Sequence, residues 1–487
     1  MSVLGLKSEN KRMYIDEYVE KISYTTKIGF IEEKQGITLD KSRGNWYNLP
    51  VKGGKKMNNI VLKSLAVENY ASFADRIMFT TEIDSSKKEY LENTFEIADS
   101  RFNKVSILYG ANGSGKTFFC KILREVKRLL DWSPLMAMNN SQLLSLPQFK
   151  GMDASVTPFV FDNKYRNKPT KFEIEIVIDK TTYHYEFNIL GKKIESELLT
   201  KKYRRTEKLI ERTSSSFKDI ILRSELKDFE NKKQAVKEEA LCLPIAALLN
   251  NKLASKIVDA IQEIQIVSMT AARLKPTKSK ESFSDERLEK YLDIIQKADP
   301  TIRDIKVSFE EEELARQKIE IDDFENREII ATKTTVGVDT AHAVYENGEE
   351  TSSTPISFFA EESLGTVKLF TALPYLFDVL ESGGILFIDE IENGLHLSLA
   401  KEIIKLFINE ETNPHHAQLI CTSHQPLLVS GNFRRDQVWV TSKDNYGKST
   451  LHRLNECKTS RAKVNLVNRL LEGAFGCNPD MFFESYI

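Results

Sequence analysis

Residues 110–117 read Gly-Ala-Asn-Gly-Ser-Gly-Lys-Thr, which satisfies the spacing G-x-x-x-x-G-K-[ST]. The octet follows a compact apolar stretch, KVSILYG, carrying Val105, Ile107 and Leu108. It precedes FFCKILREVKRLL, in which Phe119, Ile122, Leu123, Val126, Leu129 and Leu130 share one helical face. A strand, a glycine turn and an amphipathic helix in that order commit the chain to an α/β architecture. Glycines at this spacing let the backbone turn so that several N–H groups point inward beside a helix N-terminus, which is a cradle for phosphate oxygens. Gly110, Ala111, Asn112, Gly113, Ser114 and Gly115 form that cradle. Lys116 is placed to reach β- and γ-phosphates and the Thr117 hydroxyl to ligate Mg²⁺. The implied ligands are ATP and Mg²⁺.

Three further motifs follow in the second half of the chain. GGILFIDE, at 383–390, carries Ile385, Leu386, Phe387 and Ile388 without a polar break, as a central strand covered on both faces requires. Asp389 at its carboxyl end is placed to hold the metal. Glu390 is the candidate general base that orients and deprotonates an attacking water. LICTSHQPLLV, at 419–429, is a second short apolar strand, with His424 at its tip able to hydrogen-bond a γ-phosphate and the attacking water. Ahead of the acidic strand lies ESLGTVKLF, at 362–370. Its Ser363 and Gly365 open a helix and present a hydroxyl and bare amides to an anion. Ser363 equally fits an ordinary helix cap for the amides near Thr366.

GANGSGKT, ESLGTVKLF, ILFIDEIENGLH and CTSHQPLL, in that order, resemble the SMC/RecF/OLD class of ABC-type ATPases. The opening VLKSLAVENYASFAD is similar to the usual start of that class. A likeness to stand-alone AAA-family ATPases of the abortive-infection kind rests on PTKFEIEI, DQVWV and the terminal LLEGAFGCNP. It spans about 57 to 487. The fold it implies is a P-loop NTPase of the ABC-ATPase head type, with a helical insertion between the head halves. Two departures stand out. Gln148 is the nearest match to the metal-contacting glutamine of the class and has a loop-like context, and the signature reads SLGT without a double glycine.

The resemblance implies an intermolecular site. Two heads sandwich two ATP molecules, each bound by Lys116, Thr117, Asp389, Glu390 and His424 of one chain and by Ser363 and Gly365 of the other. Asn393 and His396, in ENGLH, fall where such enzymes keep the loop that crosses the dimer interface.

Composition narrows the remaining choices. The 487 residues carry 69 Lys+Arg and 71 Asp+Glu, a net charge of −2, which excludes a grossly basic nucleic-acid binder. No apolar run approaches the roughly 18 residues of a membrane helix. The five cysteines are scattered with no CxxC pair, so neither a disulfide framework nor a zinc ribbon is indicated. With no signal-like start, the expected location is the cytoplasm.

Four segments are expected. Residues 1–56 are polar and weakly patterned, either a flexible arm or a stretch preceding a chain start at Met57. Residues 57–200 form the first half of the head, 201–330 a mainly helical insertion, and 331–487 the second half. Within the first half a loop holding Pro134 and Pro147 is expected to lead to KFEIEIVID, with YHYEFNI as its hairpin mate. In the insertion, SDERLEKYLDIIQKA puts Leu288, Tyr291, Leu292 and Ile295 on one helix face, and a few short strands are expected after Pro300. Residues 192–237 hold 14 Lys/Arg against 8 acids, a local +6 that fits either a solvated face or contact with nucleic-acid phosphates.

Only 63 residues follow His424 (487 − 424), too few for a nuclease domain of the OLD kind, and no HNH-like or DxD cluster appears. By resemblance to the ATPases of PARIS- and Septu-type systems, the expected role is the sensor or scaffold of an antiphage system. Its partners would be a second copy of itself, a separate nuclease encoded nearby, and a phage protein or nucleic acid as trigger. The rival is a RecF-like or SMC-like repair ATPase that binds DNA directly. A self-contained anticodon nuclease lacks the Arg/His/Glu cluster it would need.

Overall fold

The computed structural model describes residues 25–31, 60–97, 99–137, 153–270, 280–321, 324–431, 433–456 and 466–472. The chain divides into two compact units. One comprises Val51–Ala272 with Ala372–Ile487, the other Met1–Pro50 with Arg273–Thr371.

The first unit is built on a six-stranded sheet. Its strands are β1 (Val105–Gly110), β2 (Gln265–Ser268), β3 (Ile385–Asp389), β4 (Gln418–Ser423), β5 (Val438–Lys443) and β6 (Ser449–Arg453), in the order β2-β3-β4-β1-β5-β6. The first five run parallel, and β6 returns antiparallel to β5 at the edge. Every residue of β1, β3 and β4 is buried, which is why they read as apolar runs and not as alternating patterns.

Helix α1 (Lys116–Ala137) follows β1. Its six shared-face residues, Phe119, Ile122, Leu123, Val126, Leu129 and Leu130, are all essentially fully buried, each contributing about 2 kcal/mol. The helix continues through Pro134, where a loop was expected. A proline inside a helix costs about 3 kcal/mol. Here the surrounding turn is held by burial of Trp132 and Leu135 and by Ser133 Oγ, which donates to Leu129 O and accepts from Leu241 N. Pro147 lies outside the described residues.

This unit also holds a two-stranded sheet of Thr94–Ile97 with Ser100–Asn103 and a seven-stranded antiparallel one. Its order is Ile220–Leu222, Thr206–Arg212, Lys193–Lys202, Thr181–Leu190, Thr170–Ile178, Ile60–Glu68, Ile77–Thr80. The expected hairpin of KFEIEIVID with YHYEFNI forms its middle, in register from Thr170↔Ile189 to Ile178↔Thr181. Phe172, Ile174, Ile176 and Ile178 are all buried on that strand.

The second unit holds a helix, Asp285–Ala298, with Tyr291 and Ile295 buried and Ser284 at its N-cap position. Two long strands then pair, Ile302–Ile321 of 20 residues and Phe324–Glu346 of 23. Glu349–Ser357 adds to one edge, and Thr25–Ile31 pairs with Thr334–Glu328. Phe283, Tyr291, Phe358 and Phe370 share an aromatic core, the last two with ring centroids 4.9 Å apart.

Residues 201–330 are therefore mixed and not mainly helical. Helices Cys242–Leu248, α2 (Lys252–Gln262) and Asp285–Ala298 are present, yet 206–212, 220–222, 265–268 and 302–321 are strands. Ile305, Val307 and Phe309 repeat every second residue, the period of a strand, before Glu310 to Glu313 interrupt the alternation. The few short strands expected after Pro300 are instead two long paired strands and a third, Glu349–Ser357, on their edge.

Candidate active site

The parallel register brings three strand ends together. Tyr109 on β1 pairs with Ser423 on β4, Leu108 with Thr422, and Cys421 on β4 with Ile388 on β3. The loop Gly110–Lys116, the acids Asp389 and Glu390, and His424 thus all leave the sheet at its carboxyl edge, where open α/β sheets bind ligands.

The glycine loop is shaped by its neighbours. A Cβ on Gly110 would collide with Thr441 Oγ1 on β5, so only hydrogen fits there. Ser114 Oγ meets the same Thr441 hydroxyl at 2.7 Å. Gly113 and Gly115 have φ of +77° and +115°, a region that L side chains rarely adopt. Asn112 and Gly113 are exposed, while Ala111 and Thr117 are half-buried, Thr117 in the first turn of α1. Lys116 Nζ donates to Gly110 O at 2.7 Å and to Ala111 O at 2.9 Å, folding the ammonium back over the loop. Burial lowers its pKa below the usual lysine value, against the raising influence of Glu390, Glu392 and Asp389.

Asp389 is buried, and its Oδ1 accepts from the Thr422 hydroxyl at 2.7 Å. The same hydroxyl oxygen accepts from the Glu390 amide at 2.8 Å. Glu390 has φ of +53°, an uncommon conformation for a residue with a Cβ, and strain of this kind clusters at functional positions. Asn393 Nδ2 donates to Glu390 Oε2 at 2.8 Å, so this side chain serves the acid of its own chain. Cys120, on α1, has its thiol pushed up by burial and further by the charge of Asp389.

His424 is anchored by Glu392. Its amide donates to Glu392 Oε1 at 2.7 Å, and its Nδ1 lies 3.1 Å from the same oxygen. His396 is the N-cap of α4, the helix Leu397–Ile408 that follows α3 (Leu364–Ser382), and its Nδ1 accepts from Ser398 N at 3.3 Å. Ser363 and Gly365 belong to the other unit. There Ser363 Oγ accepts from Thr366 N at 3.1 Å, the capping bond that its sequence position allows. The neighbouring Glu362 is buried, accepting from Thr340 Oγ1 at 2.6 Å and lying 2.6 Å from His342 Nε2. Gln148 lies outside the described residues.

Of the sequence candidates, Gly110 to Thr117, Asp389, Glu390, Asn393 and His424 thus occupy one strand edge of one unit. Three participants were not singled out from sequence. Thr422 lies unremarked in LICTSHQPLLV, Glu392 opens ENGLH without a role assigned to it, and Thr441 falls just after DQVWV. Glu392 sits two residues beyond the acid pair, a spacing that signals proximity without revealing a partner. The residues present suit a Mg²⁺–nucleotide: open space stands beside Gly113, and Thr117 with Asp389 supplies hard oxygen ligands.

Among the described residues no helix is long and apolar enough to cross a membrane. A comparison with curated proteins finds no match. Among solved structures, the SMC head domain from Thermotoga maritima is similar at 12% identity, covering 80% of this chain and 98% of that chain, with a TM-score of 0.32. The family model described as "AAA domain, putative AbiEii toxin, Type IV TA system" matches residues 105–430, a span that contains all three strand ends of the site. That span is about two-thirds of the 487 residues, and the chain belongs to this AAA-domain ATPase family.

Proposed function

We propose that the protein binds and hydrolyses ATP as an ABC-type switch, and that the switch controls a separate nuclease in an antiphage system. The convergence of Lys116, Asp389, Glu390 and His424 at the carboxyl edge of β1, β3 and β4 carries the enzymatic part. The toxin-system description of the family supports the biological part.

In this reading Lys116 exchanges the carbonyls of Gly110 and Ala111 for the β- and γ-phosphate oxygens of ATP. Thr117 and Asp389 would hold Mg²⁺, which when bound would supply positive charge against the phosphate oxygens. Glu390, steadied by Asn393, accepts a proton from water as the water oxygen attacks the γ-phosphorus. The bond from phosphorus to the bridging oxygen breaks, and ADP and phosphate leave. His424 donates to or accepts from the γ-phosphate and the water. Ser363 and Gly365 of a second copy close the site, so ATP holds an assembled state that hydrolysis releases.

Direct DNA repair is less well supported. In the basic stretch 192–237, ion pairs take up Lys192 with Asp153, Lys193 with Glu238, Lys201 with Glu207 and Glu225, Lys208 and Arg223 with Glu211, and Lys233 with Glu230. That favours a solvated face over a phosphate track.

Glu390→Gln tests the proposal. Slow hydrolysis together with an ATP-dependent dimer in light scattering is the expected result, and turnover at the unsubstituted rate would remove Glu390 from its role. Co-expression with the neighbouring gene, comparing the unsubstituted protein with Lys116→Ala under phage challenge, tests the control function. A harmless neighbour and no protection would overturn it.

A further inference from the structure

Glu392 lies in the connection between β3 and α4, and its side chain is 9% exposed. One carboxylate oxygen, Oε1, accepts from the His424 amide at 2.7 Å and faces His424 Nδ1 at 3.1 Å. The other, Oε2, is buried with no hydrogen-bond partner among the described residues. The loop itself is already tied to β4 without this side chain, since Ile391 N donates to Thr422 O at 3.1 Å. A buried, half-satisfied carboxylate costs stability, because the unmade bond leaves its desolvation uncompensated. A purely architectural role is therefore poorly served by this group. Its charge also acts on Lys116 and on Cys421, which places it within the field of the glycine loop. The His424 side chain remains 46% exposed, with Nδ1 on the side of the carboxylate at 3.1 Å and the rest of the ring open.

We infer that Glu392 is the positioning residue of His424, acting through the imidazole on the proposed hydrolysis. A carboxylate facing Nδ1 can bond to it only if Nδ1 carries hydrogen. The second ring nitrogen is set by the bond the first one makes. Glu392 thereby holds the Nδ1–H tautomer and turns Nε2 outward, free to accept from water or, once protonated, to donate to a γ-phosphate oxygen. Removing a carboxylate that orients an imidazole in this way costs roughly 10–100-fold where it has been measured around metal-bound histidines. The inference rests on the ATPase reading, and two readouts keep their failures apart.

The first readout is turnover by the full chain at saturating ATP. Glu392→Ala should lower kcat about 10–100-fold while the affinity for a non-hydrolysable ATP analogue stays within about twofold. Adding Glu392→Ala to His424→Ala should cost less than about twofold more, because a residue that acts through another loses its effect when that partner is gone. Glu392→Gln, whose amide oxygen can still accept, should recover most of the loss. Multiplicative losses in the double variant, unchanged kcat in Glu392→Ala, or a Gln variant no better than Ala would each overturn the inference. The second readout needs no turnover: ¹⁵N spectra of histidine-labelled protein, with His424 assigned by its absence in His424→Ala. Protonation at Nδ1 in the unsubstituted protein, lost in Glu392→Ala, is expected, and an Nε2–H ring in both would overturn the inference. Turnover no greater than that of Lys116→Ala would sink the ATPase reading alone, leaving the tautomer to decide the role of Glu392.

Discussion

Asp389 and Thr422 are joined by a 2.7 Å hydrogen bond in which the threonine hydroxyl donates to the buried carboxylate. The same hydroxyl accepts from the Glu390 amide, so one side chain on β4 sets both acids at the end of β3. It also steadies Glu390 in its positive-φ conformation, which on its own is worth about 1–3 kcal/mol of strain.

Replacing this hydroxyl tests how much it holds. Thr422→Val keeps the shape and leaves the Glu390 amide and a buried Asp389 carboxylate oxygen without that partner. The expected loss is about 1–3 kcal/mol in urea unfolding, with kcat reduced more than nucleotide affinity. Unchanged stability and unchanged turnover together would show that the bridge is incidental.

Gly115 offers a steric test of the cradle. Its φ of +115° is strained for any L side chain, and a Cβ would lie 2.8 Å from Ser449 Oγ on β6. Gly115→Ala is expected to weaken ATP binding at least tenfold, measured by titration with a fluorescent analogue. Adding Ser449→Ala should recover only part, because it relieves the contact and leaves the backbone conformation unchanged. Full recovery would mean that the clash alone matters.

Asp131 links stability to pH. It lies on α1, where burial pushes its carboxyl up to about 7, opposed by the charge of Lys127. Its unfolded value is roughly 3.9. Between those values the folded state binds more protons than the unfolded state, so stability falls as pH rises and the full cost is reached above about pH 7. At roughly 1.4 kcal/mol per unit, the upper bound is about 4 kcal/mol. Asp131→Asn keeps an acceptor for Gln262 Nε2, which donates to Asp131 Oδ1 at 2.9 Å. The variant should be more stable than the unsubstituted protein at pH 8, with the difference vanishing toward pH 4 in denaturant titrations. A pH-independent difference would contradict the assignment.

Much of the site is local in the chain and hence legible there. A glycine loop between strand and helix works through backbone amides a few residues apart, so GANGSGKT declares its chemistry without a distant partner. The apolar run ending at Asp389 and the helix face from Phe119 to Leu130 likewise follow from short-range periodicity, and both are buried as the pattern requires. The hairpin at 302–346 was harder to read, because charges such as Glu310 to Glu313 interrupt its apolar alternation.

The amino-acid sequence alone determined the α/β class, the phosphate cradle, the acid pair and the histidine, since each is written within about ten consecutive residues. Only the tertiary structure decided who supports them. Thr422 reaches Asp389 and Glu390 from 33 and 32 positions away, Glu392 meets His424 across 32, and Thr441 closes against Ser114 across 327. Such pairs arise from strand order, β3 beside β4 and β5 beside β1, and strand order is set by packing of the whole sheet, which no local pattern encodes.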